Sequence, residues 1–375
     1  MTTVLDIGGT DPGTHALVIG VGSYDHLLGG KELLLDNPYG LKQLGSPPIS
    51  ALRVAEWLLG SLQNAKAPLA SLEVLISAPT PATITTKSGP VEVEPATMAN
   101  IADAASRWFD RANTNPNNVT FFYHCGHGLQ SADLALLAQD FGAPGGDPAA
   151  PWARAYNFER SYRGMARCAA RAQIYLVDAC RQVSADALNF DGQDLQTLVA
   201  PKLRGNLLRS APILYATARE ARAFAATDQA SRFAAALLTA LSSSGMERLN
   251  GTWRVTTDSI GKAVRTCIRL GNGPNTPDQE CVVSGEAAEP VTLHTSAGNP
   301  QVPVIVTAVD TPPSSALEFW RAGEPTPRTT VAGPSPWRHD LVAGTYSIMV
   351  RDGQVPIVDL GEDWILPPAY ERELA

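Results

Sequence analysis

Two side chains with reactive chemistry stand at the ends of two apolar runs. The first run ends at His127 and the second at Cys180, with one helical segment between them. Both runs have the composition of buried β-strands, and a right-handed crossover makes two such strands neighbours with their carboxyl ends at one edge of the sheet. A thiolate and an imidazole that meet there attack a carbonyl carbon: the sulfur forms the bond and the imidazole carries the proton.

The residue after the histidine suits the same chemistry. Gly128 has no side chain, so a substrate carbonyl can approach its backbone closely. The backbone N–H groups of Gly128 and Cys180 are therefore the predicted donors to the oxyanion. A cysteine and a histidine arranged in this way form the core of a thiol protease.

Two other interpretations of this segment were weighed. His124 is an alternative to His127, but it lies three residues earlier, inside the strand. A metal site of His124, Cys125 and His127 is disfavoured, because successive residues of a strand point to opposite faces. We expect neither a metal nor a cofactor; the sequence does not decide a calcium requirement.

The elements around these residues predict an α/β domain. Short apolar runs predict buried strands at 15–21, 72–77, 119–124, 134–139, 173–178 and 212–217. Helical spacing predicts helices at 50–63, 97–112, 158–172 and 231–241. Apolar strands alternating with helices favour a mostly parallel sheet covered on both faces.

The pattern changes towards the C-terminus. Short runs at 304–309, 316–320, 337–341 and 344–350 are separated by proline and glycine turns and have no helical period. They predict a small antiparallel β-sandwich of the immunoglobulin or transthyretin type. We place the two domains at 1–287 and 288–375.

Charge and cysteine content limit the classes of function. The net charge is −8, and residues 286–375 carry most of it, with 12 acidic and 5 basic side chains. An acidic chain without a long basic run is a poor nucleic-acid binder, and no apolar run is long enough to cross a membrane. Five cysteines without a C-x-x-C pair or a signal peptide favour reduced thiols in the cytoplasm.

One further charge pattern concerns partners. Arg163, Arg167 and Arg171 share one face of the predicted helix 158–172. They predict either a solvated face or a docking surface for an acidic regulatory protein.

Over residues 13–270 the sequence resembles the caspase-like cysteine peptidases, which include caspases, metacaspases and bacterial relatives. The matching residues are His127-Gly128 at one strand end and Asp178-Ala179-Cys180-Arg181 at the next, a histidine about 50 residues before a Q-A-C-R-G-like signature. The resemblance implies the caspase-like three-layer sandwich, with His127 and Cys180 as the catalytic dyad. It also implies regulated proteolysis, as in antiviral defence or programmed death.

The resemblance also implies residues that bind the substrate. Asp178 stands where caspases that cleave after aspartate have glutamine, which is the metacaspase pattern for cleavage after arginine or lysine. Ser50 lies where metacaspases often have a second pocket carboxylate. The end of the predicted strand 212–217 is placed to pair with the substrate backbone, through Ala216, Thr217 and Arg219.

These features predict a cysteine endopeptidase that cleaves proteins after arginine or lysine. Residues 184–210, which contain Lys202, Arg204 and Arg209, correspond to the segment where activating cuts often fall in the family. The alternative is a catalytically silent caspase-like scaffold that works as a protein-interaction module through its acidic β-domain.

Overall fold

The fold of the chain was obtained as a computed structural model. The structure describes residues 3–32, 34–35, 38–143, 152, 154–181, 195–202, 208–218, 229–272, 278–309, 311–321, 324 and 326–374. Arg219 and most of the segment 184–210 lie outside the described residues.

Helices and strands alternate through the first 300 residues. The helices are α1 (Ser46–Gly60), α2 (Met98–Ala112), α3 (Phe158–Gly164), α4 (Arg232–Thr239) and α5 (Ser259–Gly271). The strands are β1 (Thr3–Asp6), β2 (Thr14–Val21), β3 (Leu69–Ser77), β4 (Thr83–Thr86), β5 (Gly89–Glu92), β6 (Val119–Gly126), β7 (Gly128–Gln130), β8 (Leu134–Leu137), β9 (Ala155–Asn157), β10 (Ala172–Ala179), β11 (Ala211–Tyr215), β12 (Met246–Leu249), β13 (Thr252–Thr256), β14 (Val282–Glu286) and β15 (Thr292–Ser296). All six strands predicted in this part are present.

A seven-stranded sheet forms the centre, in the order β1-β3-β2-β6-β10-β11-β14. The five inner strands are parallel, whereas β1 and β14 are antiparallel edge strands. Because β6 and β10 are direct neighbours, their carboxyl ends open at the same edge of the sheet, as the crossover rule predicts.

Helices cover both faces of this sheet. The apolar side chains of α1, α4 and α5 pack on one face, and those of α2 and α3 pack on the other. As a result every residue of β2, β6 and β10 is buried, which explains why these strands are apolar without alternation. The predicted three-layer sandwich with a mostly parallel sheet is confirmed.

Local sequence signals determine where α1 and α2 begin. Pro47 and Pro48 lie in the first turn of α1, where proline removes no helical hydrogen bond. The Thr97 side chain caps α2 by accepting the N–H of Asn100. These starts agree with the predicted helices to within a few residues.

The structure differs from the prediction at several elements. The helix predicted at 158–172 ends at Gly164, followed by the 3₁₀ turn Met165–Arg167. The chain passes so close to Val199 here that a Cβ on Gly164 would lie 1.7 Å from its carbonyl oxygen. In addition, α5 and the hairpin of β12 and β13 were not predicted.

Seven strands form the C-terminal region. They are β16 (Gln301–Ala308), β17 (Ser315–Trp320), β18 (Thr329–Ala332), β19 (Trp337–Val342), β20 (Gly344–Asp352), β21 (Val355–Ile365) and β22 (Tyr370–Leu374). Two sheets, β19-β16-β22 and β18-β17-β20-β21, make up the predicted sandwich. It is not wholly antiparallel, because the last strand returns alongside β16 in parallel.

The boundary between the two regions lies later than the predicted 287. Strand β15 pairs with β13 of the first region, and Thr295 donates its N–H to Gln63 at 2.7 Å. These ladder bonds fix residues 292–296 to the first region, so the sandwich begins at Gln301.

The sandwich packs on the face of the sheet that carries α4 and α5. Val302, Val304 and Trp337 belong to the same apolar cluster as Phe233 of α4. At the surface, Arg269 of α5 forms an ion pair with Glu371. Among the described residues, no helix has both the length and the apolar character needed to cross a membrane.

Candidate active site

The register of two parallel strands brings the predicted dyad together. Cys125 lies opposite Asp178, and Gly126 lies opposite Ala179. Continuing this register by one residue sets His127 opposite Cys180, just beyond the strand ends. The side chain of His127 is 7% exposed, and Cys180 is half-buried.

Three contacts hold His127 in position, two through its imidazole and one through its backbone. Its Nε2 lies 2.6 Å from the carbonyl oxygen of Lys42, and its backbone N–H donates to the hydroxyl of Tyr24 at 2.8 Å. The Tyr24 ring packs on the imidazole, with 4.9 Å between the centroids. Since a carbonyl only accepts, Nε2 carries the proton and Nδ1 is left as the basic nitrogen.

The protonation of His127 suits a general base. Burial lowers the pKa of His127 to about 4, and the Lys42 carbonyl acts weakly in the opposite direction. The imidazole is therefore neutral at pH 7 and can take a proton. The Lys42 carbonyl then stabilises the imidazolium that this transfer forms.

Gly128 lies too close to Cys180 for a side chain, and its N–H has the orientation expected of an oxyanion donor. A Cβ at this position would lie 2.5 Å from the carbonyl oxygen of Cys180, so only glycine lets the two chain segments approach. His127 accepts the N–H of Leu137 across the β7–β8 ladder. Because antiparallel pairing alternates, the N–H of Gly128 points away from β8.

Asp178 lies beneath the dyad in a buried polar cluster. One carboxyl oxygen, Oδ2, accepts the hydroxyls of Tyr123 at 2.8 Å and of Ser231. The other, Oδ1, is buried and has no N–H or O–H donor among the described residues. Burial raises the pKa of Asp178, while the bonds from Ser231, Tyr123 and the thiol of Cys125 lower it. A cationic side chain that reached Oδ1 would supply a charged donor.

Ser50 lies in the same cluster, one step from Asp178. It is fully buried, donates its hydroxyl to Ser46 and accepts the N–H of Ser231 at 2.9 Å. Ser231 in turn caps α4 and bonds to Asp178. In this arrangement Ser50 supports the carboxylate through Ser231.

The end of β11, the predicted strand 212–217, is only partly available to a substrate. The N–H of Ala216 donates to Val177, and its carbonyl accepts the side-chain amide of Gln279 at 3.0 Å. The N–H of Ala216 is thus used inside the protein, whereas its carbonyl can accept a second hydrogen bond, so pairing of Ala216 with a substrate backbone stays a prediction. Thr217, the next predicted residue, is buried and lies 3.5 Å from the Ala179 carbonyl.

The sequence did not single out the contacts of Arg181, which follows the nucleophile. Its Nε donates to Gln130 at 3.1 Å, and its guanidinium lies 4.2 Å from the centre of the Tyr215 ring. Arg181 thereby links the segment after Cys180 to β7 and to β11. The arginine after the cysteine was the available signal.

The alternative histidine serves the core. His124 is fully buried on the opposite face of the sheet, where its Nδ1 and the hydroxyl of Tyr156 form a hydrogen bond of 2.8 Å. Burial lowers the pKa of His124 to about 3. Within the described part of the chain, no group of three or more His, Cys, Asp or Glu side chains could hold a metal ion.

The arginines at 163, 167 and 171 do not share one helical face. Because α3 ends at Gly164, Arg163 lies on the helix, where it pairs with Asp133 at 3.3 Å. Arg167 lies over the ring of Phe109 instead. The acidic sandwich packs on the opposite face of the sheet, against α4 and α5.

Comparison with known proteins gives a family match, a relative in sequence and a similar solved structure. The sequence profile of the caspase domain matches residues 14–266, a range that includes both His127 and Cys180. An uncharacterised protein of Sinorhizobium fredii is 27% identical over 248 residues, or 64% of this chain and 70% of the relative. The crystal structure of caspase-1 from Spodoptera frugiperda shows 13% identity and a TM-score of 0.45, over 76% of this chain and 93% of that one.

Proposed function

Because the chain belongs to the caspase-domain family of cysteine peptidases, we propose that it is an endopeptidase that cleaves proteins after arginine or lysine. The observation that carries the proposal is the β6–β10 register, which pairs Gly126 with Ala179, the residues immediately before His127 and Cys180. The nucleophile is Cys180, and the general acid and base is His127.

The proposed reaction passes through a thioester. Nδ1 of His127 takes the proton of the Cys180 thiol, and the sulfur attacks the scissile carbonyl carbon. The N–H groups of Gly128 and Cys180 bind the oxyanion, and the imidazolium then protonates the departing amine. Water, deprotonated by His127, attacks the thioester, which releases the acid and restores the thiol.

The proposed selectivity comes from Asp178. It lies two residues before Cys180 on the same strand, and its Oδ1 lacks an N–H or O–H donor among the described residues. A guanidinium or ammonium would provide that donor and favour the ionised carboxylate, whereas an aspartate side chain would be repelled. The buried position of Asp178 is consistent with the closed base of a pocket.

Fluorogenic peptides that differ only in the residue before the scissile bond test the proposal. We expect hydrolysis after arginine and lysine, none after aspartate, and loss of all activity in Cys180→Ala. Cys267→Ala is the matched control, because Cys267 is half-buried and burial raises the pKa of its thiol. Equal activity of Cys180→Ala and wild type would contradict the dyad and favour the scaffold alternative.

The selectivity has its own test. Asp178→Asn keeps the shape of the side chain and its acceptor for Tyr123 and Ser231, but removes the charge. We expect kcat/KM for arginine substrates to fall by about tenfold or more, as for loss of a charged hydrogen-bond partner. Unchanged preference for arginine over a neutral residue would assign the selectivity to other residues.

Regulation and a role in defence or programmed death follow from the family resemblance. Mapping of cut sites in cells, with Cys180→Ala as control, tests this part of the proposal. Cuts that follow arginine or lysine in the wild type and vanish in the variant would support it.

A further inference from the structure

One side chain outside the dyad joins two segments that both contact His127. The carbonyl oxygen of the Gln43 side chain accepts the N–H of Tyr24 at 2.7 Å. Its amide nitrogen donates to the carbonyls of Tyr24 at 2.9 Å and of Leu28 at 3.2 Å. Gln43 therefore pairs with the 24–28 segment as a neighbouring strand would.

The two segments that Gln43 joins are those that hold the imidazole. Tyr24 accepts the backbone N–H of His127 and packs its ring on the imidazole. Lys42, the residue before Gln43, accepts Nε2 of His127 at 2.6 Å. The position of the Lys42 carbonyl relative to Tyr24 thus depends on the side chain of Gln43.

Backbone bonds also fix this loop against itself. Glu32 donates its N–H to Asp25 at 3.0 Å, and Leu28 forms an isolated bridge with Lys42. The described residues within 29–40 form no strand or helix. The side chain of Gln43 adds bonds from the end of the loop to its start, and these bonds restrict the position of the Lys42 carbonyl beside it.

We propose that Gln43 is a positioning residue for His127: it holds the Lys42 carbonyl where that oxygen keeps the proton on Nε2 and leaves Nδ1 as the base. Gln43 acts through the backbone of Tyr24 and Lys42 and does not touch the substrate. The inference deepens the proposed peptidase function, on which its kinetic part rests.

The tautomer of His127 gives a test that needs no activity. In wild type, ¹⁵N NMR of histidine-labelled protein should show a protonated Nε2 and an unprotonated Nδ1 for His127, with the signal assigned by its loss in His127→Ala. Gln43→Glu keeps the acceptor for Tyr24 but sets an oxygen against two carbonyls, so the two segments separate. We expect a mixture of tautomers in this variant.

The kinetic test uses the same variant. We expect kcat of Gln43→Glu to fall by about tenfold to a hundredfold with a smaller change in KM, because misplacement of a catalytic group acts on the chemical step. Gln354→Glu is the matched control, since Gln354 is exposed in a turn of the sandwich. It should show wild-type values for both constants.

Gln43→Met separates positioning from folding. Methionine is close to glutamine in size but makes none of these hydrogen bonds, so it should also mix the tautomers while the circular dichroism spectrum at room temperature stays that of the folded wild type. Wild-type tautomer and kcat in both variants would overturn the proposal. Failure of both variants to fold would also overturn it, because Gln43 would then support the whole domain. An inactive wild type would contradict the peptidase function and leave the tautomer comparison decisive for Gln43.

Discussion

The carbonyl oxygen of Lys42 lies 2.6 Å from Nε2 of His127, so a backbone group 85 residues earlier in the chain decides which imidazole nitrogen is basic. Many peptidases use a carboxylate for this purpose. A carbonyl accepts the same hydrogen bond without adding a negative charge, and the pKa of His127 therefore remains low in its buried setting.

The pH dependence of activity should reflect this low pKa. Burial lowers the pKa of His127 to about 4, so the imidazole loses its basic form only as the pH falls through about 4. We expect the acid limb of kcat/KM to have its midpoint near this value instead of near 6.5. Circular dichroism over the same range checks that the fold persists, and a midpoint above 6 with an intact fold would contradict a buried neutral histidine.

Gly128→Ala should remove activity while the protein still folds. The added Cβ would lie 2.5 Å from the Cys180 carbonyl, so the strand ends must separate and the oxyanion donors move. We expect kcat/KM to fall by about a hundredfold to a thousandfold, the usual effect of a lost oxyanion donor. Gly60→Ala is the control, because a Cβ there meets nothing within 4 Å. Similar losses in both variants would count against the assignment.

Tyr156→Phe should affect stability and leave catalysis unchanged. It removes the hydroxyl that hydrogen-bonds Nδ1 of His124, whose other nitrogen is already buried without a partner among the described residues. We expect the free energy of unfolding to fall by about 1–3 kcal/mol, the cost of an unsatisfied buried group. The pH profile of kcat/KM should keep its midpoint; a shift would give His124 a part in the reaction.

Glu73 should make a pH-dependent contribution to stability. Its buried carboxylate binds Arg107 at 3.0 Å and Arg111 at 2.5 Å, and these partners lower its pKa below the ordinary value despite burial. A lowered folded pKa stabilises the protein above the unfolded pKa of about 4.3, and this stabilisation is lost as the pH falls through the folded value.

Urea denaturation of Glu73→Gln measures that contribution. We expect a loss of about 1–3 kcal/mol at pH 7 that shrinks in acid, as the wild-type carboxylate becomes protonated. Glu371→Gln breaks the exposed pair with Arg269 and should cost less than about 1 kcal/mol. Equal losses in the two variants at pH 7 would show that burial of Glu73 adds nothing.

The sequence carried much of the fold because its signals are local. Apolar runs bounded by turns located the inner strands, and one helical segment between the strands that end near His127 and Cys180 favoured adjacent strands. Strand β15 was assigned to the wrong region because a short polar run gives no sign of its partner, and β13 lies about 40 residues earlier. The helix 158–172 was too long because the close approach of Val199 at Gly164 is a contact between distant segments.

By itself, the sequence determined which residues have the chemistry: a thiol, an imidazole, a glycine beside it and a carboxylate two residues before the nucleophile. The tertiary structure determined which groups these residues contact. It brought the Lys42 carbonyl into hydrogen-bond distance of His127 and Ser231 into a hydrogen bond with Asp178. It also joined Gln43 to Tyr24, at the other end of the loop that leads to Lys42. The physical reason is that residue types and periodicity report local conformation and burial, whereas these hydrogen bonds join loops and helix ends whose positions depend on the packing of the whole domain.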